Sequence, residues 1–389
     1  MVLHGSTFHS RFACVRQFRL PFQRPTGVHG SPLPSAPSRA KTFVVQFRIW
    51  RFELKLTHPW RIARGDDTTS FPIVFCELKD DSGCTGIGES APIGRYQESV
   101  DTVEAFLQRV DPARLSFDDI SGSMRYLDSL APDQHAAKCA VNIALVDGAA
   151  KAAGQPVYDF LKLGFTEKKH VTSFSIGMDT PEIIRKKVRE AAHYPVLKLK
   201  VGSPADPANF AALREVAPDK PVCVDANEGW TTREESLRNI EWLHRDGHVQ
   251  FVEQPMSSST DPKDWRWLKD RSPLPIFGDE SYLSAADAAR AAECFHGVNV
   301  KLVKTGGISG AYEALRAARK AGLRTMIGCM IESSVLISAA AHLAELADYL
   351  DIDGNLLISN DPFAGATTEQ GMVSFASAAE KFGLRVKAR

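Results

Sequence analysis

Charged side chains recur at the ends of short apolar runs, and their types and spacing define a chemistry. Lys198 and Lys200 lie in the run 196–201, Asp225 ends one run before Ala226-Asn227, Glu253 ends another before Gln254-Pro255, and Asp279 follows Gly278 and precedes Glu280-Ser281. Lys301 and Lys304 come next, then Asp351 and Asp353. Three carboxylates with no His or Cys among them form an all-oxygen donor set, which suits a hard divalent cation, Mg2+ or Mn2+. The alternative is that each carboxylate pairs with a neighbouring lysine as a buried salt bridge. A lysine beside such a site becomes a general base when desolvation or a nearby cation lowers its pKa. Lys198, two residues before Lys200 and on the same strand face, is placed to be that cation. Lys304 reads as an ordinary surface lysine at a strand end. Asp351 and Asp353 also share a face, and two adjacent carboxylates call for a cationic partner, either an ammonium group or a second metal.

These groups need elements that bring them together. From Lys200 to Lys301 they are separated by roughly 22 to 28 residues, the length of one strand–helix unit. Strand candidates fall at 171–176, 196–201, 222–225, 249–253, 276–279, 298–303, 325–330 and 349–353, with amphipathic helices between, among them 181–192 and 311–321. Strict alternation implies parallel strands, and eight of them close into a (β/α)8-type barrel whose strand C-termini gather the charged groups at one mouth. The segment is short for a barrel, so another part of the chain must cover that mouth. The preceding block supplies it. Runs at 43–56 and 71–78 flank the loop 58–65 as a β-hairpin or meander, and an Ala-rich helix follows at 135–153, which makes the block α+β.

Composition narrows the function classes. Lys plus Arg and Asp plus Glu both total 47 in 389 residues, so no global field favours nucleic acid or an anionic membrane. The 44% hydrophobic and 24% charged fractions exclude disordered and fibrous classes. No run of about 18 apolar residues exists to span a membrane. Seven scattered cysteines without a C-x-x-C pair read as reduced thiols in a cytoplasmic protein. Residues 1–41 carry Arg11, Arg16, Arg19, Arg24 and Arg39 and no acid, and read as a disordered, targeting or non-native extension.

Lys198-Leu-Lys200, Asp225-Ala-Asn227, Glu253-Gln-Pro255, Asp279-Glu-Ser281 and Lys301-Leu-Val-Lys304-Thr-Gly-Gly307, in that order, resemble the enolase superfamily, specifically its muconate lactonizing enzyme subgroup. The resemblance covers about residues 43–370. It implies an α+β capping domain (42–165), a modified TIM barrel of (β/α)7β type (166–357) and a C-terminal segment (358–389) that returns to the cap. It further implies Asp225, Glu253 and Asp279 as Mg2+ ligands and Lys200 and Lys301 as the acid/base pair. Asp351-Ile-Asp353, with Gly354 and Asp361-Pro-Phe363, resembles the dipeptide epimerases, in which paired carboxylates hold the α-ammonium of a dipeptide. That implies inversion at the α-carbon of the C-terminal residue, with L-Ala-D/L-Glu as the leading substrate, and a homo-oligomer. Arg61, Arg64, Tyr96 and Met330 are the further expected substrate contacts. Glutamate-specific relatives place an Arg just after the position of Arg64; here it is Gly65, so Arg61 or Arg64 would have to substitute.

Two other readings use the same residues. Within the fold, o-succinylbenzoate synthase, N-succinylamino acid racemase and muconate cycloisomerase chemistry shares the lysines and metal, and the Asp351/Asp353 pair argues against it. From another class, Gly86-Ile-Gly88-Glu89-Ser90-Ala91 nominally fits a dinucleotide fingerprint, but Pro92 and Gly94 follow where a helix should run, and the segment reads instead as a capping loop. Gly306-Gly307 reads as a plain turn opening the next helix, with an anion site at that N-terminus as its rival.

Overall fold

The computed structural model describes residues 43–389 apart from Arg64, Asp66 and the side chain of Glu369. The extension at 1–41 lies outside the described residues. Strands β1 (Val44–Trp60), β2 (Thr68–Asp80) and β3 (Thr85–Ser90) form an antiparallel sheet in that order. β2 is the central strand, and Ile73 to Cys76 are buried one after another because both of its faces are covered. Helices α1 (Val100–Leu107), α2 (Ile120–Leu130) and α3 (His135–Ala152) complete the first block. Every residue of α3 from Ala136 to Ala150 is buried, the signature of a helix enclosed on all sides.

The segment expected as a capping loop at 86–91 is instead mostly β3, and its glycines are the reason. A Cβ at Gly88 would overlap the Ala140 carbonyl oxygen, and one at Gly86 would overlap that of Ala144. With no side chain there, the strand lies flush on α3.

Eight parallel strands follow in chain order: β4 (Phe174–Ile176), β5 (Leu197–Lys200), β6 (Val222–Asp225), β7 (Val249–Glu253), β8 (Ile276–Gly278), β9 (Gly297–Lys301), β10 (Arg324–Gly328) and β11 (Tyr349–Asp351). Each pairs with the next, and seven connections carry a helix, from Pro181–Glu190 after β4 to Ser334–Ala341 after β10. The ring closes between β11 and β4 through the Thr172–Leu350 bridge and the Ser173 N–H, which donates to the Leu350 carbonyl at 3.0 Å. This is the (β/α)7β barrel. Alternation along each strand sorts the interior into layers. Cys223, Phe251, Phe277 and Met326 form an apolar floor, with Tyr349 packed against it. One pleat higher the same strands turn Asp225, Glu253 and Asp351 inward.

Beyond β11 the chain returns to the capping sheet. Asn360 Oδ1 accepts from the Lys55 N–H at 2.7 Å, the Phe363 ring lies 5.2 Å from that of Phe75, and the Leu384 N–H donates to Asp147 Oδ1 at 2.7 Å. Among the described residues no helix is long and apolar enough to cross a membrane.

Candidate active site

The charged strand ends converge on the barrel mouth. Lys200 is paired in register with Asp225, and Asp225 with Glu253, so three successive strands present their charges at one level. Lys200 Nζ donates to Asp225 Oδ2 at 2.7 Å, Lys301 Nζ to Asp279 Oδ2 at 2.9 Å, and Lys198 Nζ lies 2.7 Å from Glu253 Oε2. Lys200 on β5 and Lys301 on β9 are four strands apart in a ring of eight, and the carboxylates of β6, β7 and Asp279 after β8 lie along the arc between them.

Two lysines depart from expectation. Lys198 is not a bare cation tuning Lys200: its ammonium meets Asp351 at 2.6 Å, Glu253 at 2.7 Å and Asp225 at 3.2 Å, sharing Asp225 Oδ2 with Lys200. Those carboxylates outweigh the cost of burial and hold Lys198 charged. Lys304, expected at the surface, is fully enclosed. The short helical turn Leu302–Thr305 that follows β9 swings it back inward, where Nζ donates to Asp279 Oδ1 and the Asp279 carbonyl at 2.6 Å each and to the Asn299 carbonyl at 3.0 Å.

Burial raises the carboxylates' pKa and the lysines lower it, and the balance differs at each site. Lys200 and Lys198 hold Asp225 below the usual range, and Lys301 and Lys304 do the same for Asp279. Burial, then the charges of Asp225 and Asp279, push Glu253 up to about 8, although Lys198 opposes them. Glu253 Oε2 accepts no hydrogen bond despite the ammonium nearby, while Oε1 takes the Asn299 amide at 2.8 Å. Lys301, buried against Asp279 and Glu253, is driven up rather than down.

Three buried carboxylates gathered at one mouth, with oxygen the sole donor type, suit a hard divalent ion. In the present geometry the ammonium groups stand among them, and no three described His, Cys, Asp or Glu side chains form a preformed cage. The residue types therefore fit Mg2+, in an arrangement that also displays the lysine pairs weighed as the alternative.

Asp351 and Asp353 are both held from the start of the barrel, by Ser173 just before β4 and Ser175 on it. Ser173 Oγ donates to Asp351 Oδ1 and the Ser175 N–H to Asp353 Oδ2, each at 2.6 Å. The cation on Asp351 is the chain's own Lys198, where a substrate ammonium or a second metal was expected. Burial and the charge of Asp351 raise Asp353 to about 6.

The cap supplies the rest of the mouth. The Trp60 ring centre is 5.9 Å from Lys200 Nζ, and the Arg61 carbonyl accepts from the Met178 N–H at 3.0 Å. The Arg61 side chain is half-exposed and lies 3.9 Å from Asp67; Arg64 lies outside the described residues. Ala63 seats between two glycines, since a Cβ at Gly202 would be 2.8 Å and one at Gly229 3.0 Å from its methyl. Arg95 spans from cap to barrel, donating to both Glu228 oxygens and to Ser258 Oγ. Tyr96 is near enough to Lys301 to act on its ionisation, and Met330 Sδ is 3.8 Å from Lys301 Nζ. Gly307 opens the next helix as a turn, with Asn142 Oδ1 of α3 accepting from the Ser309 N–H.

Sequence reasoning missed Asn299 and Gln254. Asn299 sits two residues before Lys301 and therefore on its face. Gln254 Oε1 accepts from the N–H groups of Asp279 and Ser281 while Nε2 donates to the Met256 carbonyl and Ser281 Oγ, stitching the ends of β7 and β8 together.

Residues 183–386 match the enolase C-terminal domain-like family, and 45–162 match the mandelate racemase / muconate lactonizing enzyme N-terminal domain. The chain belongs to the enolase superfamily. Within it, an L-Ala-D/L-amino acid epimerase of Pedosphaera parvula is 61% identical over 349 residues, covering 89% of this chain and 100% of that one. An L-Ala-D/L-Glu epimerase of Bacteroides thetaiotaomicron is 40% identical over 85% of each chain. Among solved structures, the substrate-liganded L-Ala-D/L-Glu epimerase of Bacillus subtilis matches with a TM-score of 0.82 at 28% identity, covering 89% of this chain and 99% of that one. The dipeptide epimerase of Cytophaga hutchinsonii, complexed with Mg and D-Ala-L-Val, matches with a TM-score of 0.82 at 28% identity, over 89% and 96%. This superfamily member is an isomerase of the racemase and epimerase class.

Proposed function

We propose that the protein is a dipeptide epimerase that inverts the α-carbon of the C-terminal residue by 1,1-proton transfer between Lys200 and Lys301. The observation that carries the reading is the placement of these two amines on opposite sides of one carboxylate-lined mouth. A proton removed from one face of a carbon and returned to the other inverts it. Lys301, paired with Asp279, would carry the proton on its side, and Lys200, paired with Asp225, on the other. The Trp60 ring and the capping segment around it shield Lys200 from water. Asp351 and Asp353 receive the dipeptide's α-ammonium, which competes with Lys198 for Asp351.

Asp225, Glu253 and Asp279 would hold Mg2+, with Mn2+ as the other candidate; when bound, the ion neutralises charge that develops on the substrate carboxylate. The relatives' substrates include L-Ala-D/L-Glu, and Gly65 broadens the expectation here to L-Ala-L-Xaa dipeptides. The unpaired described cysteines fit a reducing, cytoplasmic setting, and a homo-oligomer is the expected state, checked by light scattering.

The test is a library of L-Ala-L-Xaa dipeptides incubated in D2O and read by mass spectrometry. The expected result is α-deuterium in the C-terminal residue and conversion to the L,D epimer, abolished by chelation and restored by Mg2+. A Lys301→Ala variant that still exchanges the α-proton of both epimers would overturn the two-lysine scheme, and full turnover after exhaustive chelation would remove the metal from it.

A further inference from the structure

The Gly86-Ile-Gly88-Glu89 segment is spent on joining the cap to the barrel. Its two glycines press β3 onto α3, and the strand then delivers Glu89, fully buried, to the loop that follows β10. Glu89 Oε1 accepts from the Ser333 N–H at 2.8 Å, and Oε2 accepts from Ser333 Oγ at 2.5 Å and the Leu336 N–H at 3.0 Å. All three donors belong to the loop end and first turn of the helix Ser334–Ala341. On its other side the loop is clamped by Gly354, where a Cβ would come within 2.5 Å of the Met330 carbonyl oxygen and 2.9 Å of the Glu332 nitrogen. The Met330 N–H is turned inward onto Glu332 Oε1 at 2.9 Å, which leaves the Met330 thioether against Lys301.

We propose that Glu89, a residue of the capping strand, is a positioning residue for Lys301: by fixing the 329–333 loop it sets Met330 as the wall of that lysine's side of the reaction centre. The proposal rests on the two-lysine reading above. A carboxylate alone offers acceptors to all three donors; a Gln amide would turn its NH2 against an N–H or O–H group and leave a buried donor unsatisfied. Lys200 is bounded by Trp60 instead, so the disturbance should be confined to one face.

The experiment uses the full-length, Mg2+-loaded protein and the L-Ala-L-Xaa/L-Ala-D-Xaa pair that exchanges fastest in the library, with solvent-deuterium uptake measured from each epimer separately. Lys301→Met first identifies the epimer whose exchange needs Lys301. Glu89→Gln is then expected to slow that epimer's exchange about tenfold, the scale of one unsatisfied buried donor, with the other epimer within about twofold. Ser333→Ala, which deletes a single hydroxyl, is the milder variant and should move the same ratio in the same direction. Equal slowing of both epimers in both variants overturns the proposal and leaves Glu89 a purely structural residue. If Lys301→Met itself slows both epimers equally, the two-lysine reading fails and the Glu89 proposal falls with it, so the two failures are told apart by which variant lacks the asymmetry. A readout independent of turnover is the methyl-13C resonance of Met330, assigned by Met330→Leu. It should shift in Glu89→Gln, and an unmoved resonance also overturns the proposal.

Discussion

Replacing Gly88 by Ala tests the account of β3 directly. The added Cβ would overlap the Ala140 carbonyl oxygen and lie 2.8 Å from the Ala140 carbonyl carbon and 3.0 Å from the Ala144 nitrogen, where ordinary contact begins near 3.4 Å. All three obstacles are helix backbone, which cannot rotate aside, so clearing the Ala140 carbonyl oxygen requires the strand to retreat by about 1.5 Å along a fully buried seam. Overpacking of a core costs roughly 1–3 kcal/mol, and an obstacle with no rotamer to yield sets the expectation near 3 kcal/mol. With an unfolding entropy of about 2.1 cal/mol/K per residue, that cost lowers Tm by about 4 °C if roughly 350 residues unfold together. It lowers Tm by about 12 °C if a capping unit of roughly 120 residues melts first. Calorimetry separates the two cases, because the second splits the transition. Gly94→Ala is the control, since nothing lies within 4 Å of a Cβ there, and it should stay within about 0.5 kcal/mol of the wild type. A Gly88→Ala protein that melts with the wild type, or a Gly94→Ala protein that loses as much, would refute the close-approach argument.

Burial holds His342 neutral, with its pKa pushed down to about 3, while it stacks on Phe375 and accepts the Tyr158 N–H. The unfolded chain takes up that proton near pH 6.5, so as pH falls below 6.5 the unfolded state binds more protons and stability declines by up to about 1.4 kcal/mol per pH unit from this group. Wild-type and His342→Gln urea melts at pH 7 and pH 5 should differ in pH slope by up to about one proton, the wild type losing more stability toward pH 5; His296, lowered to about 4, acts in the same direction, and the raised Glu253 and Asp353 carboxyls act in the opposite one. Lys304→Met leaves Asp279 Oδ1 and two backbone carbonyls without their donor and should destabilise by about 3–5 kcal/mol in urea. A surface lysine would lose under about 0.5 kcal/mol.

The barrel was legible because each strand is a brief apolar run stopped by a charge, and the interval between stops repeats. Where reasoning failed, three-dimensional proximity overrode local pattern. Lys304 looked superficial because it lies past a strand end, yet one helical turn returns it to Asp279. Residues 86–91 looked like a loop because glycines weaken strand propensity, whereas here they admit a helix backbone at close range. Glu89 carried no signal of its own, since its partners are more than 240 residues away. Asp351 was read as awaiting a ligand because nothing in its local sequence reveals Lys198, which reaches it across 153 residues.

The closure of the ring has an effect on how the molecule responds to occupancy. Seven of its joints are ladders of main-chain bonds, whereas the eighth, between β11 and β4, has only the Thr172–Leu350 bridge with the Ser173 N–H on the Leu350 carbonyl, and is supplemented by Thr172 Oγ1 receiving the Ile352 N–H and by Ser173 and Ser175 gripping the two aspartates. A visitor that engages those aspartates therefore tightens the hoop at its weakest stave. Amide exchange at Ile352 should slow when the cleft fills, making a single proton on the seam a gauge of what the mouth contains.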